Sequence, residues 1–189
     1  MDITTDQVIR AQSGDKEALE ELIAASYRPC FSLAYRLLRN RDDAAEVTQE
    51  AYIRMIKSLK KLQEPAAFAT WMYRIVSNVA ITRMKKHSRG EVLTEPELMH
   101  DPSPVDVEEL AVGGLVMREL ESLVDDLPET QRTVIVLRDI YGLSGEQAAE
   151  ILGIGETAMK VRLHRARRLL RARILETHPD WANDRKESA

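Results

Sequence analysis

The sequence contains a single cysteine, Cys30, among its 189 residues, so the chain cannot close an internal disulfide. Its histidines show no zinc-like spacing with that cysteine or with each other, which disfavours a structural metal site. No apolar run approaches the roughly 20 residues that span a bilayer, and Asp2 and Asp6 stand where a secretion signal carries basic residues. We therefore expect a protein of the reducing cytoplasm with no metal and no membrane insertion.

Enzyme signatures are also missing from the sequence. It has no GxxxxGK[ST] phosphate loop, no HExxH zinc motif and no convincing pair of nucleophile and base. We predict no catalytic residue and no cofactor. An enzyme is still one alternative, and a second is a regulator whose N-terminal half senses a ligand or a phosphoryl group, although that half shows no alternation of strands and helices.

Charge is strongly segregated along the chain, although the net charge is only -4. Between residues 91 and 126, eleven acidic residues stand against Arg118 alone. A basic cluster precedes this block, and residues 160–173 hold seven lysines and arginines. Two basic patches therefore flank an acidic centre.

Apolar residues recur at three- and four-residue spacings through most of the chain, which predicts an all-α fold. The first long helix is expected to break or bend at Pro29. Its predicted buried face comprises Leu19, Leu22, Ile23, Tyr27, Phe31, Ala34 and Leu38.

Two further helices complete a predicted first domain, residues 1–90. One should begin near Asp42 or Asp43, because acids suit the positive end of a helix. Its predicted buried residues are Val47, Met55, Ile56 and Leu59. The other should run from about 67 to 86, and its predicted buried residues are Phe68, Met72, Ile75 and Val79.

Proline, glycine and acidic residues dominate residues 91–114, which predicts a flexible acidic linker. A second small domain follows over residues 115–175, and residues 176–189 form a C-terminal tail. Within this domain, Ser144 and Gln147 form a capping-box pattern that opens a short helix, and Gly153 suits the left-handed turn after it. A short helix, a glycine turn and a long helix give the spacing of a helix-turn-helix.

The last helix combines an apolar stripe with a basic surface. Met159, Leu163, Ala166, Leu170 and Ile174 repeat at three and four residues and are predicted to face the core. The basic residues occupy the remaining faces, where they can bind phosphates and reach base edges in the major groove. The alternative is that this arginine-rich face is simply solvated.

The sequence resembles the extracytoplasmic-function sigma factors of bacterial RNA polymerase. "LPETQRTVIVLRDIYGLSGEQAAEILGIGETAMKVRLHRARRLLR" is similar to their sigma-four domain. "DDAAEVTQEAYIRMIKSL" and "FATWMYRIVSNVAITRMKKHSR" are similar to their sigma-two domain, a helical bundle. The chain departs from the common Ser-x-Gly-Thr-Val pattern at residues 155–159, and Val161 replaces a common serine. The sequence of the promoter element it reads is therefore not predicted.

The resemblance implies a promoter-specificity subunit that binds core RNA polymerase and promoter DNA. The residues expected at the duplex minus-35 element are Ala158, Lys160, Val161, Arg162, His164 and Arg165. The residues expected at the single-stranded minus-10 element are Asn78, Arg74, Arg83, Lys85, Lys86 and Arg89. Trp71 and Tyr73 resemble stacking platforms, but their spacing fits plain core packing as well.

The resemblance also implies protein partners. The residues expected to contact the polymerase are Glu46, Gln49, Glu50 and Arg54, although a solvated helix face predicts the same pattern. The acidic linker resembles the family segment that enters the RNA path of the polymerase, and a disordered spacer is its alternative. Family members are commonly held inactive by an anti-sigma factor, so such a partner is expected here.

Overall fold

The computed structural model describes residues 1–88 and 113–179, which form helices joined by short turns. The helices are α1 (Thr5–Ser13), α2 (Lys16–Leu38), α3 (Arg41–Ser58), α4 (Phe68–Ser88), α5 (Gly113–Asp125), α6 (Glu129–Ile135), α7 (Gly145–Leu152) and α8 (Glu156–Thr177). Two 3-10 turns connect α3 to α4, and a π-helical turn, Val136–Ile140, extends α6. These described residues contain no β-strand, and the all-α prediction is confirmed.

Helices α1 to α4 pack as a bundle around side chains that are almost fully buried. The largest of these are Leu22, Leu33, Leu37, Met55, Phe68 and Met72. Side-chain caps fix where the helices begin: Asn40 accepts a hydrogen bond from the Asp43 amide at 3.0 Å, so α3 begins at Arg41. Asp42 and Asp43 then occupy the first turn, where the helix dipole favours acids.

Of the predicted break or bend at Pro29, the break is wrong, because α2 runs unbroken from Lys16 to Leu38. Ser26 and Cys30, on either side of the proline, are both completely buried. Packing of this kind can offset the roughly 3 kcal/mol that proline costs inside a helix. The buried face is also rotated from the predicted one, since Tyr27 is 50% exposed.

One residue of the predicted core in α3 lies on the surface. Val47, Met55 and Leu59 are buried, but Ile56 is 49% exposed. Successive helical residues are separated by about 100°, so the residue after Met55 turns away from the core. Ile53 lies three residues before Ile56 and is 47% exposed, so the two form an apolar strip on the outside of α3.

Helices α5 to α8 build the second domain around Leu127, Leu137, Leu143 and Met159, all almost fully buried. Helix α5 begins at Gly113, so the last two residues of the predicted linker are helical. Helix α8 continues to Thr177, two residues into the predicted tail. The rest of the linker prediction, Arg89 and residues 180–189 lie outside the described residues.

The two domains are in contact through their helices. Helix α4 packs against α7, and α2 packs against α6 and the π-helical turn. Tyr141, which follows that turn, donates a hydrogen bond from its hydroxyl to the Pro29 carbonyl at 3.4 Å. The contact places the helix-turn-helix next to the α4 surface.

Candidate functional site

Local hydrogen bonds and one left-handed residue fix where α7 begins and where it ends. The Ser144 hydroxyl oxygen accepts a hydrogen bond from the Gln147 backbone amide at 3.1 Å, and the Gln147 side-chain oxygen accepts one from the Ser144 backbone amide at 2.9 Å, as the capping box predicts. Gly153 adopts φ +69°, a left-handed conformation that costs glycine little. The Ile154 amide closes the turn by donating to the Ala149 carbonyl at 3.0 Å. The predicted helix-turn-helix therefore has a firmly terminated first helix.

Helix α8 presents its basic side chains to solvent and its apolar ones to the core. Met159 and Ala166 are buried, and Leu163 packs against the core. The predicted minus-35 residues are all exposed, namely Ala158, Lys160, Val161, Arg162, His164 and Arg165. Together they offer charged donors for phosphates or guanine edges and an apolar contact for a thymine methyl group.

One arginine of α8 is already paired within the protein. Arg167 donates two hydrogen bonds to the carboxylate of Asp139, at 2.9 Å from Nε and 2.5 Å from Nη2. These hydrogen bonds raise the pKa of Arg167 above its ordinary value. The pair ties α8 to the π-helical turn that extends α6. The sequence alone does not reveal this pair, because nothing in the basic run distinguishes Arg167 from its neighbours.

Helix α4 carries the predicted minus-10 residues. Asn78 is exposed, although Ser77 and Val79 beside it are buried. Its backbone carbonyl accepts a hydrogen bond from the Thr82 hydroxyl at 2.7 Å. The amide side chain therefore lies at the edge of the buried face and can offer a donor and an acceptor to a base.

The basic residues predicted around Asn78 have different partners. Arg83 binds Asp43 and Glu46 of α3 at 2.6 and 2.8 Å, and the hydrogen bond to Asp43 is the main cause of its raised pKa. Arg74 pairs with Glu150 of α7 at 2.9 Å, and Lys85 donates to the Leu152 carbonyl at 3.3 Å. Lys86 is exposed.

The aromatic residues of α4 lie against protein side chains. Trp71 is partly buried and packs against Phe68, with ring centroids 6.0 Å apart. The rings of Tyr73 and of Tyr141 from the second domain lie nearly perpendicular to each other, with their centroids 4.8 Å apart. Burial also raises the pKa of Tyr73 above its ordinary value. Each of these two rings already contacts another aromatic ring of the protein, so neither is fully available to stack on a base.

A groove of about 420 Å³ runs between α3 and α4. It is lined by the four predicted polymerase-binding residues, which are exposed: Glu46, Gln49, Glu50 and Arg54. Ile53 also lines the groove, and Glu50 pairs with Arg54 at 2.5 Å. Ile53 and Ile56 are functional candidates that the sequence alone does not reveal, because apolar spacing places Ile56 in the predicted core.

Within residues 1–88 and 113–179, no three histidine, cysteine or acidic side chains are grouped closely enough to hold a metal ion. In the same part of the chain, no helix is sufficiently long and apolar to cross a membrane.

Comparison with protein families identifies both domains. The Sigma-70 region 2 model matches residues 22–90, and the Sigma-70 region 4 model matches residues 117–170. The first match runs from within α2 to the end of α4, and the second runs from within α5 into α8 and includes the turn between α7 and α8.

Individual proteins show the same relationship. The chain is 30% identical over 177 residues to the ECF RNA polymerase sigma factor SigW of Bacillus subtilis, covering 89% of this chain and 95% of SigW. It is 32% identical over 184 residues to the ECF RNA polymerase sigma-E factor of Haemophilus influenzae, covering 90% and 95%. It is also 32% identical to SigE of Mycolicibacterium smegmatis over 84% of this chain, but it spans only 63% of that relative.

Solved structures share the fold. CnrH in complex with the cytosolic domain of CnrY aligns with a TM-score of 0.58 and 23% identity, over 94% of this chain and 99% of CnrH. The sigma factor RpoE in complex with the anti-sigma factor NepR from Bartonella quintana aligns with a TM-score of 0.57 and 20% identity, over 82% and 94%. With both domains matched in order, the chain belongs to the extracytoplasmic-function sigma factors of RNA polymerase, which are transcription regulators.

Proposed function

We propose that this chain binds core RNA polymerase and directs it to promoters by contacting a duplex minus-35 element and a single-stranded minus-10 element. The observation that carries the proposal is the surface of α8, where all six predicted minus-35 residues are exposed while Met159 and Ala166 anchor the helix. Family membership supports the same assignment.

Helix α8 reads the minus-35 element in the major groove. Lys160, Arg162 and Arg165 contact phosphates or guanine edges, and Val161, which is 44% exposed, offers an apolar contact. Arg167 is assigned to holding the helix and not to DNA, because its guanidinium is bound to Asp139.

Helix α4 reads the minus-10 element after the duplex opens. Asn78 contacts an unstacked base, and Arg74, Lys85 and Lys86 hold the strand by its phosphates. Arg89 belongs to the same proposed cluster. Arg83 is part of the same proposed cluster, and its bonds to Asp43 and Glu46 also join α4 to α3.

The groove between α3 and α4 is the proposed polymerase contact. Its polar rim comprises Glu46, Gln49, Glu50 and Arg54. Ile53 supplies apolar area within the groove, and the exposed Ile56 extends that area along the outside of α3. Exposed isoleucines rimmed by charged residues are typical of a protein interface.

An anti-sigma factor is the proposed regulator, as the solved complexes of CnrH and of RpoE suggest by likeness. We further propose that the chain acts in the cytoplasm, where its polymerase is, and that it uses no catalytic residue, cofactor or metal.

Run-off transcription tests the proposal. Purified core polymerase alone should give no promoter-specific transcript from a library of genomic fragments, and addition of this protein should give discrete ones. A regulator of another class would bind DNA without conferring initiation on core polymerase, and that result would refute the proposal.

A further inference from the structure

Val161 is an exposed apolar side chain within the basic surface of α8. It is 44% exposed, whereas Met159 and Ala166, which anchor the helix, are buried. Successive residues of a helix are separated by about 100°, so Val161 lies about 160° around α8 from Met159 and about 140° from Ala166. Its side chain therefore points away from the core and into the surface that is proposed to meet DNA.

Packing within the domain does not account for a valine at this position. The apolar residues that hold α8 in place, Met159, Leu163 and Ala166, lie on the opposite side of the helix. Valine is also a weaker helix former than alanine, because branching at Cβ restricts its side-chain rotamers in a helix. Single exposed apolar residues are common on protein surfaces, so a function for Val161 has to come from its position.

Val161 lies in the second turn of α8, among side chains that bind DNA in the proposed function. Arg165 is exposed one turn after it, and Lys160 and Arg162 are exposed on either side. The first turns of a recognition helix contact base edges in the major groove. Lysine and arginine can donate hydrogen bonds there, whereas valine can offer only an apolar contact. Thymine presents a matching group in that groove, its C5-methyl.

We infer that Val161 makes α8 select a thymine at one position of the minus-35 element, by packing against the C5-methyl group of that base. 5-Methylcytosine carries the same methyl group, but the exposed cations around Val161 favour thymine. Lys160 and Arg165 are hydrogen-bond donors, which suit the O4 acceptor of thymine and not the N4 amino donor of 5-methylcytosine. This inference rests on the proposed function of α8, and it adds the identity of one base that the helix requires.

Replacement of thymine by deoxyuridine tests the inference, because it removes only the C5-methyl group. The probes are duplexes that the full chain enriches from a random-sequence library, with each thymine replaced in turn. At one position the replacement should lower the affinity of the wild type by about fourfold, the effect expected for one buried methyl group. 5-Methylcytosine at that position, paired with guanine, should bind more weakly than thymine.

Two alanine variants assign the effect to a side chain. Val161→Ala should bind the thymine and deoxyuridine duplexes with nearly equal affinity, because the side chain that contacts the methyl group is gone. Ile140→Ala is the matched control and should keep the wild-type difference, since Ile140 is 43% exposed in the same domain and is no predicted DNA contact. Val161→Ala should not lower the melting temperature, because an exposed valine is replaced by a better helix former.

The outcomes separate failure of the inference from failure of the proposed function. If the enriched duplexes bind through Lys160, Arg162 or Arg165, but deoxyuridine equals thymine at every position, the selection of thymine is refuted while the role of α8 stands. An undiminished difference in Val161→Ala would refute the assignment to Val161, and equal binding of 5-methylcytosine would refute the preference for thymine. If no duplex is enriched, or if alanine at all three cations leaves binding unchanged, the assignment of α8 fails and the inference fails with it.

Discussion

Arg165 and Arg167 lie two residues apart on α8 and should respond differently to the same substitution. Arg165 is exposed and is predicted to contact DNA, whereas Arg167 is bonded twice to Asp139. If Arg165 contacts a phosphate, Arg165→Ala should reduce the slope of log affinity against log salt by about 0.9. Arg167→Ala should leave that slope unchanged, because its guanidinium makes no phosphate contact.

The size of the effect follows from that slope. Each phosphate contact contributes a loss of about 3.5-fold in DNA affinity between 50 and 200 mM salt. The loss of affinity of the Arg165 variant over this range should therefore be smaller than that of the wild type by this factor. Removing the Arg167 pair should cost less than about 1 kcal/mol of stability, since its side chain is 56% exposed. Fluorescence anisotropy on a duplex minus-35 site at four salt concentrations measures both slopes. If Arg165 contacts a guanine instead of a phosphate, Arg165→Ala should relax the preference for that guanine by about 1–3 kcal/mol. Equal slopes for the two variants with no such change in base preference would refute the assignment of Arg165 to DNA and of Arg167 to the internal ion pair.

Three further substitutions test other parts of the molecule. Asn78→Ala should leave the melting temperature and polymerase binding nearly unchanged, because the side chain is exposed, but it should lower open-complex formation; a loss of stability with normal initiation would favour a structural role. Ile53→Glu should weaken binding to core polymerase at unchanged stability, while Ile9→Glu, at a similarly exposed isoleucine of α1, should not; equal binding of both would exclude the groove. Ser144→Ala should lower the free energy of unfolding by about 1 kcal/mol through loss of the α7 cap, and no change in a denaturant titration would contradict that cap.

Local features of the fold could be predicted from the sequence, whereas features that depend on distant partners could not. The capping box at Ser144 and the left-handed Gly153 are encoded within a few residues, and both appear in the structure. The continuity of α2 through Pro29 depends on packing from other helices. The exposure of Ile56 depends on which face of α3 meets α2 and α4, and apolar periodicity alone did not resolve that rotation.

The ion-pair and hydrogen-bond partners of the basic residues could not be predicted from the sequence either. Arg74 and Glu150 are 76 residues apart, and Lys85 and Leu152 are 67 apart, so no local pattern pairs them. The basic stretches correctly indicated which helices carry positive charge. The same stretches could not indicate that Arg167 is bound to Asp139 or that Arg83 is bound to α3. The acidic partners lie far away in the sequence, so only the folded structure distinguishes the paired arginines from the others.

Mapping the 5′ ends of the transcripts that core polymerase makes with this protein tests whether α8 and α4 read two promoter elements. If α8 and α4 read two promoter elements, the start sites should lie downstream of two shared sequence elements at a fixed spacing, and scrambling either element should abolish initiation. Start sites that share no upstream sequence, or that survive scrambling of both elements, would contradict the account.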